Sequence, residues 1–196
     1  QAHADLAGST PRNGSVVSAP PPVVTIRFEE PVKLDNARLL TSDGERVPSR
    51  TKVDGRTVTI TPRATLPDGP VAASWAIVSD DGDPTPGAIA FVVGAREAVG
   101  PPQSLPAFPK IPTTLSGSRP GQLAMTMRTS GTSAEVTWTH TAIDGPLTWK
   151  LTKQATSLSG RGVLPLSGTW TYRATVQKTG GAVVVVSGTA SLGEAS

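Results

Sequence analysis

Val24-Thr25-Ile26-Arg27-Phe28 decides the fold class: three apolar side chains at even positions are separated by two polar ones. In an extended chain, neighbouring side chains point to opposite faces, so this pattern makes a strand with one buried face. Val58 and Ile60 repeat it, as do Ala73, Trp75 and Ile77, then Ile89, Phe91 and Val93. Turn chemistry lies between these runs, at Pro20-Pro21-Pro22, Asp43-Gly44, Asp54-Gly55, Asp68-Gly69 and Asp81-Gly82. Short strands at this spacing predict a sandwich or barrel.

Alternation stops between residues 98 and 120. Pro101, Pro102, Pro106, Pro109, Pro112 and Pro120 fall there, and the stretch reads as a semi-rigid linker. It then resumes with Leu123, Met125 and Met127; Val136, Trp138 and His140; Leu147, Trp149 and Leu151; and Trp170, Tyr172, Ala174 and Val176. The expected organisation is all-β: a domain over 1–97, a linker over 98–120 and a second β-sandwich or Greek-key barrel over 121–196. No internal repeat is visible.

Composition agrees. The chain holds 20 Gly and 19 Pro among 196 residues, about a fifth against a usual eighth, which leaves little room for long helices. Its longest apolar run, Ala182–Val186, is far short of the roughly 18 residues of a membrane span. There is no Cys, hence no disulfide and no thiolate metal site. Residues 1–97 carry 10 basic and 12 acidic side chains, and residues 98–196 carry 8 and 3. The second half's cations are scattered singly, unlike a nucleic-acid groove.

The ordered set His3-Ala4-Asp5-Leu6, Ser9-Thr10-Pro11, Gly14, Val23–Phe28, Pro31-Val32, Trp75–Ser79, Asp81-Gly82, Gly87 and Phe91–Gly94 resembles the CopC copper-resistance family. The resemblance implies a Greek-key barrel or sandwich of about seven strands. It also implies a secreted or periplasmic location, and Cu(II) binding beside the mature N-terminus. In the family a signal peptide is removed so that a His becomes the first residue. Gln1-Ala2 before His3 fits the end of such a signal. An amine and the imidazole of the same residue form one chelate ring, and Cu(II) favours tetragonal N/O ligation.

The family completes that plane with a carboxylate and a second His in a Ser-x-Asp-Gly-His segment. Here the segment is Ser79-Asp80-Asp81-Gly82-Asp83-Pro84, with Asp81 at the carboxylate position and Asp83 in place of the His. The expected ligands are His3, Asp81 and Asp83, with weaker Cu(II) affinity than an imidazole would give. Three alternatives stay open. The turn is an ordinary hairpin and the domain a metal-free scaffold of an envelope complex; or Gln1 is the true terminus and Gln1-Ala2-His3 wraps Cu(II) or Ni(II); or no metal is bound.

Gly162–Trp170 is similar to the soluble β modules that end some CopC–CopD membrane fusions, which implies a CopD-like membrane copper transporter as partner. Met125 and Met127 share a strand face. If Ser130–Ser133 turns the chain back, His140 and Trp138 come beside Met125, a donor set suited to Cu(I). Core packing is the simpler reading of those residues. Trp149, Trp170 and Tyr172 suit either core or a carbohydrate platform.

No catalytic constellation is found. The two His residues are His3 and His140, one in each half. Gly-x-Ser-x-Gly and phosphate-loop motifs are missing. Glu29-Glu30 are adjacent, so in a strand they face opposite ways. Copper oxygenases clamp the metal between two His residues, and the first half has only His3. A binding protein is expected rather than an enzyme.

Overall fold

The computed structural model describes residues 5–79, 82, 84–95 and 99–194. Among them every regular element is a strand. The first half contains β1 (Leu6–Thr10), β2 (Val16–Val17), β3 (Val24–Phe28), β4 (Val32–Thr41), β5 (Arg46–Val47), β6 (Ser49–Asp54), β7 (Thr57–Pro62), β8 (Gly69–Ser79) and β9 (Pro84–Val93). These form two sheets, ordered β1-β3-β7-β6 and β2-β9-β8-β4-β5.

The alternation read from sequence supplies the core between them. Val24, Ile26, Phe28, Val58 and Ile60 meet Leu39, Val71, Ala73, Trp75, Ile77, Ile89, Phe91 and Val93. Phe28 and Trp75 cross edge to face, with ring centroids 5.8 Å apart. A Cβ on Gly87 would strike the Trp75 indole, so the missing side chain is what lets the ring lie flat across β9.

The second half contains β10 (Gln103–Leu105), β11 (Thr113–Leu115), β12 (Gly121–Met127), β13 (Gly131–Thr139), β14 (Leu147–Gln154), β15 (Ser157–Leu164), β16 (Gly168–Lys178) and β17 (Val183–Leu192). They form one antiparallel sheet ordered β10-β11-β12-β15-β14-β13-β16-β17. Its two ends approach one another. Phe108 and Ser187 exchange backbone hydrogen bonds of 2.8 and 2.9 Å, and Gln103 Nε2 donates to the Ser191 carbonyl at 3.2 Å. The sheet thus curls into a barrel around Leu123, Met125, Met127, Val136, Trp138, Trp149, Leu151 and Tyr172.

Three features differ from the sequence expectations. Residues 98–120 are not only a connector. β10 and β11 belong to the barrel, with Leu105, Thr113 and Leu115 buried. The prolines flank two proline-free triplets, each long enough for a three-residue strand. Next, β12 and β13 do not form a hairpin with each other, because β15 and β14 lie between them. Finally, the β2-β9-β8-β4-β5 sheet is buried on both faces. Opposite its own core, Leu40, Ala72, Ala88, Ala90 and Val92 join the barrel's apolar cluster.

Small side chains on that outer face let the β13–β14 connection lie against it. Asp144 is the centre of this contact. Its carboxylate accepts from Arg38 Nη2 at 3.0 Å and from Ser74 Oγ at 2.8 Å. Its own N–H donates to Ser74 Oγ at 2.8 Å. Arg38 also donates to the Ala142 carbonyl at 3.1 Å. Gln122 Nε2 to the Gly14 carbonyl (3.0 Å) and Ser167 N–H to the Ser42 carbonyl (2.9 Å) hold the two halves at further points.

Candidate metal centre

One pole of the first half gathers the segments that carry the expected ligands. Leu6 stands opposite Phe28, which places the start of β1 where β3 ends. The Asp5 carbonyl accepts the Glu29 N–H at 2.9 Å. From there the chain crosses to the other sheet, where Val32 pairs with Ser79 at the end of β8. Val78 pairs with Pro84 across the β8–β9 turn, and Gly82 N–H donates to the Ser79 carbonyl at 3.0 Å. Gly82 has φ +89°, a backbone conformation that glycine adopts without steric cost. The Asp54-Gly55 turn reaches the same pole, since the Gly55 carbonyl accepts the Val32 N–H at 3.1 Å.

His3, Asp81 and Asp83 themselves lie outside the described residues. Their described neighbours Asp5, Ser79, Gly82 and Pro84 are at this pole. Asp5, Glu29, Glu30 and Asp54 are carried there too and outnumber the nearby cations Lys33, Lys52 and Arg56, of which Lys52 lies 3.9 Å from the Asp54 carboxylate.

The second candidate set is arranged differently from the sequence expectation. Met125 and Met127 are fully buried on the inner face of β12, opposite Gly160 and Leu158 of β15. His140 follows β13, which two strands separate from β12 in the sheet order, and packs on Trp170 with centroids 4.9 Å apart. Its Nδ1 accepts the Ala142 N–H at 3.1 Å, so Nε2 carries the proton and donates to the Ser167 carbonyl at 3.1 Å. Both nitrogens are therefore engaged within the chain, and Met125 and Met127 pack in the core, the simpler of the two readings. The β12–β13 hairpin that the other reading needed is missing.

Trp149, Trp170 and Tyr172 are core residues, not a platform. The Trp170 indole N–H donates to the Leu166 carbonyl at 2.9 Å, and the Tyr172 hydroxyl to the Pro106 carbonyl at 2.8 Å. Burial raises the Tyr172 pKa above its ordinary value. A Cβ on Gly162 would collide with the Trp149 indole, so this glycine in β15 makes room for the ring.

His140 has a pKa lowered by burial, against which its bond to Ser167 acts. The folded state thus favours the neutral ring, whose Nδ1 anchors the connection that ends in Asp144. Its contribution is complete above the ordinary value of about 6.5 and is lost as pH falls through the folded value. We expect the melting temperature of the wild type to drop more steeply below about pH 6.5 than that of His140→Gln. Parallel profiles for the two proteins would refute this.

Residues 6–94 match the family model described as the CopC domain. This half of the chain is a CopC domain. Over 102 residues, 49% of the chain, the sequence is 32% identical to the copper transport protein CutJ of Bacillus subtilis (strain 168). The chain spans 19% of the length of that relative. Among solved structures, CopC from Methylosinus trichosporium OB3b shares 26% identity, with a TM-score of 0.44 over 49% of this chain and 98% of that one. PcoC, a methionine rich copper resistance protein from Escherichia coli, shares 30% identity, with a TM-score of 0.43 over 47% and 99%.

Sequence reasoning did not single out Arg38, Ser74 and Asp144, through which the CopC domain meets the barrel. A signal was present. The second face of β8 and β9 offers Ala72, Ser74, Ala76, Ala88 and Ala90, with no charge to hold it in water.

Proposed function

We propose that this chain handles copper outside the cytoplasm, taking Cu(II) at the acidic pole of its CopC domain. His3 supplies nitrogen donors, through its imidazole and, once it is the first residue, its amine. Asp81 and Asp83 supply oxygens. The observation that supports this reading is the register, which brings Asp5, just before β1, and Ser79, Gly82 and Pro84, around the β8–β9 turn, to one end of the sandwich. The CopC match and the copper transport relative support the same cargo. Cu(II) accepts mixed N/O ligation, so exchanging an imidazole for the Asp83 carboxylate weakens the site without removing it. The proposed role is binding and delivery rather than catalysis, in the periplasm or at the cell surface. A CopD-like membrane copper transporter is the proposed recipient.

The test is a Cu(II) titration of protein beginning at His3, followed by electron paramagnetic resonance. Tight binding that His3→Ala abolishes is expected, and Asp83→His is expected to tighten it. A dissociation constant weaker than about micromolar and unchanged in His3→Ala would remove the proposal. A second reading, a metal-free scaffold, gains support from the barrel built against the CopC domain's outer face. It requires that the wild type bind no Cu(II) at this pole.

A further inference from the structure

The barrel closes only in part, and the gap is a strand edge. Ser187 directs its N–H and C=O to Phe108, away from β16. Backbone groups alternate along a strand, so those of Val183 and Val185 point the same way as those of Ser187. Among the described residues no strand pairs with them there. The free edge is Val183-Val184-Val185-Val186, with no charge, no proline and no bulge, the features that normally protect an edge. Val183 and Val185 are 50% and 38% exposed, and Phe108, on the same face as Ser187, is 81% exposed. Lys178 at the preceding hairpin is turned back onto Thr129 Oγ1 (2.7 Å) and Ser130 Oγ (3.2 Å).

We infer that this edge pairs with the same edge of a second copy, joining two barrels antiparallel about a two-fold axis through Val184. The geometry selects that register. The groups that point outward belong to Val183 and Val185, so the hydrogen-bonded pairs set Val183 opposite Val185 of the second copy, and the reverse. Val184 then faces itself in the close, non-hydrogen-bonded position. The Phe108–Ser187 bridge blocks the edge beyond Val186, and the Gly180-Gly181 turn ends it before Val183. The outward-pointing groups left free are those of Val183 and Val185, and a pairing centred on Val184 uses all of them. Identical uncharged β-branched rows meet, so no like charges are opposed. Val183, Val185 and Phe108 place apolar surface along the seam.

The chain contains no Cys, so one introduced thiol reports the register. Val184→Cys is expected to form an intermolecular disulfide under mild oxidation, because opposed residues in the close position lie about 4.5 Å apart. Thr189→Cys, exposed on the same strand but outside the register, is expected to give little. In sedimentation velocity the wild type is expected to shift from monomer to dimer with concentration. Val185→Pro removes an outward N–H without touching the β16 ladder, and is expected to remain monomeric with an unchanged circular dichroism spectrum. Wild type monomeric at every soluble concentration, a Val185→Pro protein that dimerises equally, or equal cross-linking by the two thiols would each overturn the inference.

Discussion

Trp138→Ala is expected to cost about 3–5 kcal/mol of unfolding free energy, measured by chemical denaturation. The side chain is fully buried at the centre of the barrel, opposite Tyr172 on one side and Leu147 on the other. Its ring lies 5.3 Å from Trp149 and 5.2 Å from Tyr172. Removing it leaves a cavity bounded by two large rings whose own anchors hold them in place. Tyr172 is tied to Pro106, and Trp149 is fitted over Gly162. Collapse into the space is therefore limited, which puts the cost toward the upper end. Trp138 Nε1 has no hydrogen-bond partner among the described residues. Trp138→Phe, which discards that unpaired donor, should accordingly cost much less than Ala. Equal losses for the two variants would show that ring packing is not the source.

Asp144→Ala is expected to destabilise the chain by about 2–3 kcal/mol, lowering the melting temperature by roughly 4–12 °C. Three hydrogen bonds end on this residue, and two of its partners lie in the CopC domain. Ala leaves the Arg38 guanidinium with only the Ala142 carbonyl among the described residues and removes an acceptor from fully buried Ser74. The ion pair is about a quarter exposed on each side, so water softens the loss below that of a dry pair. Because the apolar cluster runs across the junction, the variant should still unfold in a single transition. Two separated transitions, or an unchanged midpoint, would contradict the central role given to Asp144.

The strands were legible because each needs only local information. Val24, Ile26 and Phe28 announce a buried face by themselves, and so do Trp75 and Ile77. Strand order was not legible in the same way. Nothing local in Met125 or Trp138 says that β15 and β14 will come between their strands. That depends on the β14–β15 pairing and on Gly160 and Gly162 fitting beneath Lys150 and Trp149. The Met–His alternative to core packing depended on a β12–β13 hairpin that this order does not contain. The proline-rich stretch misled for a related reason: prolines forbid long strands but not the triplets Gln103–Leu105 and Thr113–Leu115. At the CopC pole, the family motif supplied the candidate ligands and the register supplied their neighbourhood.

The sheet sandwiched between two partners has a mechanical consequence. β8 and β9 serve as a wall for both neighbours, so the described parts of the two halves share one apolar contact across that sheet. The β8–β9 end of the CopC domain and the open valine edge of the barrel are thus linked through that wall, so holding one constrains the bearing of the other.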